Sequence, residues 1–559
     1  MATDTTKALI VQSDRTLLLD VHSESAEAAR HAIMPFAELE KSPEHIHTYR
    51  ITPLSLWNAA SAGFTPEDVV KSLKEYSRYE IPAGITEGFS LLMSRYGKIR
   101  MISPVGDNDN TDRLILQIEN KAIRLEIEER QAFQKYLTKE DDGFSLALTD
   151  RGTVKRELIR IGWPVQDEAP LLEGEDLEIN LRSCCLSGKP FAPRDYQTEA
   201  AQAVTGSGKP GSGYGVVVLP CGSGKTIVGM LIMSILKTNT LILTANVAAV
   251  HQWIDELLDK TELTSEQIGE YSGDCKVVAP VTVATYQIIT WRPDKKGEFP
   301  HFRLFRERQW GLVIYDEVHL LPAPVFRVTA ELQAIRRLGL TATLIREDGE
   351  EDAVFSLVGP KRYYVPWKDL EGKGWIAEAL CTELRLDLPE NLKIKYAASP
   401  PREKYRIASE NPLKEEIVRQ LIEEYPDEQI LVIGQYIAQL NSLAKLLNAP
   451  LVTGKTPNAE REKIYGDFKR GEVRVIVVSR VANFALDLPD ASMAVQVSGT
   501  FGSRQEEAQR LGRILRPKGR NALFFSLVSH YTVEETFAAN RQKFLTEQGY
   551  KYTIKQWIK

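Results

Sequence analysis

The segment 216–226 has the residue types and spacing of a phosphate-binding loop. An apolar run is followed by small residues and by a Lys-Thr pair that opens an apolar helix. Glycines allow backbone N–H groups to converge on a polyphosphate at a helix N-terminus. Lys225 is then placed to reach the β- and γ-phosphates, and Thr226 to ligate Mg²⁺. The sequence predicts a nucleotide site here, cradled by Gly222, Ser223 and Gly224.

One position departs from the strict loop pattern, because Leu219 stands where a glycine is usual. A second Gly-Ser-Gly-Lys stretch, at 206–209, provides an internal comparison. No apolar strand precedes it, and Pro210 replaces the hydroxyl that would bind Mg²⁺. We therefore expect a flexible loop at 206–209 and a nucleotide site only at 216–226.

Two consecutive acids, Asp316 and Glu317, end an apolar run that begins at residue 312. A carboxylate at a strand tip can hold Mg²⁺ opposite Thr226, and its neighbour can orient and deprotonate the attacking water. A strand-end acid pair is weak evidence alone, but after a phosphate loop it supplies the second part of one reaction. We expect hydrolysis of ATP to ADP and phosphate.

Arginines in the segment 509–516 (QRLGRILR) are candidates for stabilising the transferred phosphate. Phosphoryl transfer needs cations near the γ-phosphate, and guanidinium groups supply them in a fixed geometry. Arg513 and Arg516, with Gln509, are predicted catalytic residues if their domain closes on the loop. The alternative is a basic helix that only faces solvent.

Four further residues near the nucleotide site are weaker candidates. Arg194 and Gln197 lie upstream of the loop and could contact the adenine edge, although alone they are ordinary surface residues. Thr341 and Thr343 end the strand after the acids and could relay between the nucleotide site and an interdomain cleft.

We expect these residues to be positioned by apolar strands that alternate with segments of helical length. The strands are predicted at 216–219, 241–243, 281–284, 312–315 and 338–340, and again at 430–433, 450–452, 473–478, 494–497 and 523–528. Continuous apolar runs separated by helical lengths indicate buried parallel sheets with crossover helices. The predicted fold class is α/β, with two successive parallel-sheet domains.

The region before these domains has a mixed α+β texture and no catalytic constellation. Residues 8–20 predict two strands joined by a turn, and 65–68 (TPED) predicts a capped helix start. The runs 100–102, 114–118 and 123–127 predict further strands. We expect a docking or DNA-contacting module, and domains at 1–130, 131–188, 189–365 and 366–559.

Composition limits the partners and the compartment. The 559 residues are 43% hydrophobic and 26% charged, as in an ordinary soluble protein. A net charge of −6 argues against bulk non-specific affinity for nucleic acid, so any such site must be local. Five cysteines form neither a zinc nor an iron–sulfur pattern, and no signal or membrane-spanning run is present. We expect a cytoplasmic protein with no membrane partner.

In this order, the segments PCGSGKT, DEVH, TAT and QRLGRILR resemble the motifs of a superfamily 2 helicase, which has two RecA-like domains. Further segments resemble the XPB-type DNA repair helicases in a prokaryotic-like form. Arg346, Glu347 and Asp348 match the RED motif, 502–508 (GSRQEEA) the approach to the arginine motif, and 541–550 the C-terminal signature. The segment 8–21 resembles the N-terminal domain, so the resemblance covers nearly the whole chain.

The resemblance implies an ATP- and Mg²⁺-dependent DNA helicase or translocase moving 3′→5′, in DNA repair or promoter opening. It implies that 131–188 is a damage-recognition-like domain and that Asp487, which ends the motif 479–487, contacts the nucleotide. Candidate DNA-binding residues follow the strands, although each alone is more typical of a loop or helix cap: Thr244, Gln252, Thr285 and Arg480. Arg346, Glu347 and Asp348 could separate or couple strands, although a solvated charge cluster is the alternative. Implied partners are single-stranded or junction DNA and a nuclease or a repair/transcription assembly.

Two departures from the family pattern affect the coupling of nucleotide to DNA. Ala482 and Asn483 replace the expected Gly and Asp, and the insertion expected to grip DNA is short, at 390–412. Two alternatives therefore stay open. One is a DNA-dependent ATPase clamp that distorts DNA for a partner nuclease or a transcription/repair complex with little processive unwinding. The other is an RNA helicase.

Overall fold

Four sheets organise the described part of the chain, and two of them are seven-stranded and parallel. The computed structural model describes residues 6–41, 45–104, 113–169, 171, 173–206, 213–220, 222–273, 275–294, 299–321, 325, 335–342, 351–365, 367–375, 377–479, 491–499, 521–547 and 552–557. The chain divides into two units, residues 1–218 with 224–364, and residues 365–559 with the segment 219–223. Among the described helices, none is long and apolar enough to cross a membrane.

The first unit begins with an antiparallel sheet and four helices. Its elements are β1 Leu9–Val11, β2 Thr16–Asp20, α1 Ala26–Ile33, β3 Glu38–Lys41, β4 Ile46–Arg50, α2 Pro53–Ser61, α3 Pro66–Tyr76 and α4 Ala83–Met93. The strand order is β1-β2-β4-β3, which confirms the predicted hairpin at 8–20. Thr65 caps α3 as predicted, because its hydroxyl accepts the N–H of Asp68 at 3.2 Å.

A five-stranded sheet follows, in the order β7-β8-β6-β5-β9. Its elements are β5 Ile99–Ile102, β6 Arg113–Gln117, α5 Lys121–Glu128, α6 Gln131–Gln134, β7 Thr138–Glu140, β8 Gly143–Ala147, α7 Arg151–Arg160 and β9 Val165–Asp167. The prediction of a strand at 123–127 was wrong. Asn120 caps a helix there by accepting the N–H of Ala122, and Ile123 and Ile127, four residues apart, form its buried face. The sheet contains strands from both sides of residue 130, the predicted boundary between the first two domains.

The first seven-stranded sheet has the order β12-β13-β11-β14-β15-β10-β16, and all its neighbouring strands are parallel. Its elements are α8 Asp195–Thr205, β10 Tyr214–Val218, α9 Lys225–Leu236, β11 Thr240–Thr244, α10 Val247–Lys260, β12 Ile268–Tyr271, β13 Val281–Thr285, α11 Tyr286–Ile289, β14 Leu312–Asp316, β15 Arg336–Thr341, α12 Glu351–Leu357 and β16 Lys361–Tyr364. The core strands are buried on both faces, as the continuous apolar runs predict.

The second unit contains the other parallel sheet, in the order β19-β20-β18-β21-β22-β17-β23. Its elements are α13 Trp367–Gly372, β17 Ala379–Leu386, α14 Glu390–Ala398, α15 Pro401–Ser409, α16 Leu413–Glu424, β18 Ile430–Gly434, α17 Ile437–Leu446, β19 Leu451–Val452, α18 Asn458–Lys469, β20 Val475–Ser479, β21 Met493–Gln496, β22 Ala522–Ser529, α19 Val533–Glu547 and β23 Tyr552–Gln556. In the first unit, short 3₁₀ helices lie at Leu148–Asp150, Ser265–Gln267, Pro300–Arg306 and Val318–Leu320. The α/β fold class with two tandem RecA-like parallel-sheet domains after an α+β region is confirmed.

Candidate nucleotide-binding and hydrolysis site

The carboxyl edge of the first seven-stranded sheet gathers predicted site residues that are far apart in sequence. Val218, which leads into the phosphate loop, pairs with Thr341 of β15, and Leu340 pairs with Asp316 of β14. Ligands of open α/β sheets bind at this edge, because the loops after the strands meet there. Register and topology therefore place the loop, the acids and Thr341 side by side.

The loop after β10 has the backbone of an anion cradle. Gly222 and Gly224 adopt left-handed φ values of 76° and 79°, which glycine takes without a steric penalty. Ser223 is buried, and its hydroxyl donates to the carbonyl of Pro220 at 2.7 Å. Leu219, the departure from the glycine pattern, is fully buried, so the replacement becomes part of the core. Helix α9 begins directly at Lys225, which puts its N-terminal N–H groups at the loop.

Lys225 and the two acids come together at this edge. The Nζ of Lys225 lies 3.6 Å from Oε1 of Glu317. Burial, followed by the charge of Glu317, raises the pKa of Asp316 to about 6. Two adjacent carboxylates in a poorly solvated place favour the binding of a cation. Such a cation can in turn bind an anionic ligand. The cradle, the lysine and this acid pair are thus chemically matched to a nucleoside triphosphate with Mg²⁺, with Thr226 and Asp316 as the residues that would hold the metal.

Asp316 is held by donors from three directions. Its Oδ2 accepts the indole N–H of Trp253 at 2.9 Å, and its Oδ1 accepts the backbone N–H of Glu317 at 3.0 Å. The hydroxyl of Tyr286 donates to its backbone carbonyl at 2.9 Å. Asp316 is half-buried, and a carboxylate with fixed hydrogen bonds keeps one orientation, so the acid is preorganised for its ligand.

Thr341 connects to the general-base candidate through a histidine. Its hydroxyl lies 2.7 Å from Nδ1 of His319, and that nitrogen lies 3.4 Å from Oε2 of Glu317. All of Thr341 and nearly all of His319 are buried. The predicted relay from Thr341 stays a prediction, and the contacts show only that His319 lies between Thr341 and Glu317.

Arg194 and Gln197 lie at the start of α8. Arg194 is the N-cap residue, and its backbone N–H donates to the side-chain oxygen of Gln197 at 2.8 Å. Gln197 is 1% exposed and reaches the phosphate loop, since a side chain on Gly224 would lie 2.6 Å from its Nε2. This amide therefore abuts the loop, and the alternative of an ordinary surface position is wrong for Gln197. Adenine contact stays a prediction for both residues.

The predicted DNA-contacting residues fall into two classes. The side chains of Thr244 and Thr285 are buried: the hydroxyl of Thr244 donates to the carbonyl of Ala284 at 3.3 Å, and that of Thr285 accepts the N–H of Ile288. Gln252 is exposed on α10. Only Gln252 thus presents its side chain to solvent, and the roles of all three in DNA binding stay predictions.

Several predicted residues lie outside the described part of the chain. They are Thr343, Arg346, Glu347, Asp348, Arg480, Asp487, Gln509, Arg513 and Arg516, together with Ala482 and Asn483. Their assignments remain predictions from the motifs alone.

Sequence reasoning assigned no role to Trp253 or His319, and it considered Tyr286 only as a neighbour of Thr285 in a candidate DNA contact. Trp253 has a spacing signal, because Val250, Trp253 and Leu257 form the buried stripe of an amphipathic helix, but that pattern predicts packing only. Their polar atoms find partners 22 to 63 residues away in the chain, which no local pattern reveals.

Models of known protein families match three segments of this chain. Residues 370–558 match the family model of the ERCC3/RAD25/XPB C-terminal helicase. Residues 190–346 match the model described as type III restriction enzyme, res subunit, and residues 9–142 one described as helicase conserved C-terminal domain.

Curated relatives align with nearly all of the chain. It is 50% identical over 554 residues to the DNA 3′-5′ helicase XPB of Mycobacterium tuberculosis, covering 98% of this chain and 97% of that protein. It is 49% identical over 550 residues to the protein of the same description from Kineococcus radiotolerans, covering 98% and 96%. The general transcription and DNA repair factor IIH helicase/translocase subunit XPB of Encephalitozoon cuniculi is 32% identical over 562 residues, covering 97% and 82%.

Proposed function

Because the chain belongs to the XPB family of helicases, we propose that it is an ATP-dependent DNA helicase or translocase that moves 3′→5′. Its place is DNA repair or DNA opening, with single-stranded or junction DNA as the substrate. Residues 189–365 and 366–559 are the two helicase domains. The N-terminal domain (1–130) and the damage-recognition-like domain (131–188) come before them and share the five-stranded sheet, which takes strands from both sides of residue 130. The Encephalitozoon relative is a subunit of a transcription and repair factor, which makes a repair or transcription assembly, or a nuclease, the partner class to test.

The observation that carries the proposal is the meeting of Lys225, Asp316 and Glu317 at the carboxyl edge of one parallel sheet. Lys225 binds the β- and γ-phosphates, and Glu317 orients the attacking water and takes its proton. Thr226 and Asp316 would hold Mg²⁺, which would neutralise phosphate charge when bound. Arg513 and Arg516 would add cationic stabilisation of the γ-phosphate from the second helicase domain.

Replacement of Glu317 separates nucleotide binding from hydrolysis. We expect Glu317→Gln to bind ATP as the wild type does while DNA-stimulated hydrolysis falls about 10²- to 10⁴-fold, because the general base is lost and the shape is kept. Lys225→Ala should weaken nucleotide binding itself. Lys237→Asn is a matched control, since Lys237 is exposed in a left-handed conformation at the other end of α9 and Asn tolerates it. Normal hydrolysis by Glu317→Gln would refute the assignment.

Tailed duplexes test polarity and the kind of work done. We expect unwinding of duplexes with a 3′ tail and none with a 5′ tail, and stimulation of hydrolysis by single-stranded DNA more than by RNA. Activity on 5′-tailed duplexes alone would contradict the polarity. Strong DNA-stimulated hydrolysis with little strand separation, even on short duplexes, would instead support the ATPase clamp that distorts DNA for a partner.

A further inference from the structure

The indole of Trp253 connects three elements of the candidate site. It lies on α10, is 2% exposed, and donates its N–H to Oδ2 of Asp316 at the end of β14. Its ring packs against α9, the helix that starts at Lys225, because a methyl group on Gly229 would lie 2.6 Å from ring atom Cη2. One side chain thus contacts both the phosphate-loop helix and the metal-binding acid.

The N–H bond of Trp253 acts on Asp316 as an orienting bond. An indole N–H is a donor only, so the nitrogen of Trp253 neither ligates a cation nor acts as an acid or base near neutral pH. The bond occupies one lone pair of Oδ2, and the N–H of Glu317 occupies one of Oδ1, so the plane of the carboxylate is set from two sides. The remaining lone pairs of the Asp316 carboxylate then keep a fixed direction in which a metal ion could bind.

The opposite face of α10 is open to solvent. Val247 is 38% exposed in the first turn, and Ala248, His251 and Gln252 are exposed beside it. The helix starts firmly, because the side chain of Asn246 accepts the N–H of Ala249 at 2.9 Å. Gln252, the predicted DNA contact, immediately precedes Trp253. A ligand that contacts the exposed first two turns of α10 therefore contacts the same short segment that carries the indole.

We propose that Trp253 is a positioning residue for Asp316 and that it transmits contact of a nucleic-acid strand with the exposed first two turns of α10 to the metal-binding acid. This inference rests on the proposed function, since it needs both a strand on α10 and Mg²⁺–nucleotide at Asp316. The competing explanation is that Trp253 only packs α10 on α9, in which case the ring matters and its N–H does not.

Trp253→Phe separates these explanations, because it keeps a buried aromatic side chain on α10 and removes the donor. Binding of mant-ADP is titrated with Mg²⁺, with and without oligo-dT. We expect the half-saturating Mg²⁺ concentration to rise about tenfold, because removing a group that orients a metal ligand costs about 10- to 100-fold in affinity. This readout needs no turnover.

The second arm measures coupling between the two sites. The affinity for oligo-dT is measured with and without Mg²⁺–AMP-PNP, and the ratio of the two affinities is the coupling factor. We expect the ratio in Trp253→Phe to lie closer to one than in the wild type by about fivefold or more. Affinity for DNA without nucleotide should stay at the wild-type value, since Trp253 is buried and does not meet the strand.

Trp310→Phe is the matched control. Trp310 is 1% exposed and donates its indole N–H to the carbonyl of Leu304 at 2.9 Å, just before the other end of β14. The same chemical change there should leave Mg²⁺ dependence and coupling unchanged. An equal shift in Trp310→Phe would indicate a general packing effect and would overturn the proposal.

Gly229→Ala is the second test variant, because the added methyl group must displace the indole while its N–H is retained. We expect the same direction of change in both measurements. Wild-type values in both Trp253→Phe and Gly229→Ala would overturn the proposal, and if Trp253→Phe does not fold, Gly229→Ala alone decides. A wild-type protein that binds no Mg²⁺–nucleotide would contradict the proposed function instead.

Discussion

Glu317 is the residue on which the contacts of the candidate site converge. It lies 3.6 Å from Lys225 and 3.4 Å from His319, and it has a left-handed φ of 49°. A non-glycine residue in this conformation costs of order 1–3 kcal/mol, so the surrounding contacts must hold it there. Strain of this kind at a predicted catalytic position is typical of a preorganised site.

Removal of the Thr341 hydroxyl tests how Glu317 is held. Thr341→Val keeps the shape and deprives His319 of its 2.7 Å partner. We expect kcat for ATP to fall about ten- to a hundredfold with KM little changed, because a slightly misplaced base affects the chemical step more than binding. The measurement is DNA-stimulated hydrolysis against ATP concentration.

Thr240→Val is the control for this experiment. Thr240 is also fully buried, and its hydroxyl donates to the carbonyl of Thr238 at 3.0 Å, at the amino end of β11. It should behave as the wild type. An equal loss of kcat in both variants would show that the effect comes from the sheet and not from His319.

Individual elements show where pattern reading succeeds. Strands buried on both faces, such as β10 and β11, were predicted from their continuous apolar runs. Strand β17 was not predicted, because Ala379–Leu386 alternates in burial and lies in a region rich in Pro and Gly. Both edge strands of the first parallel sheet, β12 and β16, were also missed, since a strand with one neighbour needs fewer apolar residues.

Strand β4 carries a histidine that should make stability depend on pH. Burial, and then the charge of Arg30, lowers the pKa of His47 to about 4. Because this pKa lies below the ordinary value near 6.5, the stability contribution is complete above pH 6.5 and is lost as the pH falls towards 4. We expect a slope of at most about 1.4 kcal/mol per pH unit from this residue.

Thermal unfolding of the full chain at several pH values between 7 and 4.5 measures this slope. His47→Gln should show a shallower loss of stability on acidification than the wild type. His22→Gln is the control, because His22 is exposed. The prediction fails if wild type and His47→Gln lose stability in parallel.

At the scale of the whole molecule, a buried charge cluster joins the five-stranded sheet to the first parallel sheet. Arg151 and Lys155 bond the carboxylate of Asp167 at 2.6 and 2.8 Å, and the hydroxyl of Tyr214, which opens β10, donates to its backbone carbonyl. Burial lowers the pKa of Lys155 to about 8 and that of the nearby Arg337 to about 10. Lys155 and Arg151 lower the pKa of Asp167 despite its burial.

Asp167→Asn should therefore destabilise the first unit strongly. Arg151 and Lys155 would lose the carboxylate that they bond, and loss of one partner from a buried ion pair costs about 3–5 kcal/mol. Denaturant unfolding measures the change. Glu168→Gln is the control, because its bond to Arg100 is on the surface and should contribute less than about 1 kcal/mol. Equal midpoints for the two variants would contradict the prediction.

The sequence by itself determined the chemistry and the class of fold. Loop, acids and arginine motif are local patterns of residue type, and apolar runs of strand length separated by helical lengths specify parallel sheets. These signals are local because backbone geometry and the burial of apolar side chains depend on neighbours a few residues apart.

Only the tertiary structure decided which of these residues meet. The 3.6 Å approach of Lys225 to Glu317, the indole bond of Trp253 and the contact of His319 with Thr341 depend on strand order and register. Strand order is set by the crossover helices and by packing of the sheet as a whole, so a pairing across many residues leaves no trace in a local pattern. The contacts that hold Asp316 and Glu317 thus depend on the tertiary structure, whereas the two acids themselves could be identified from the sequence.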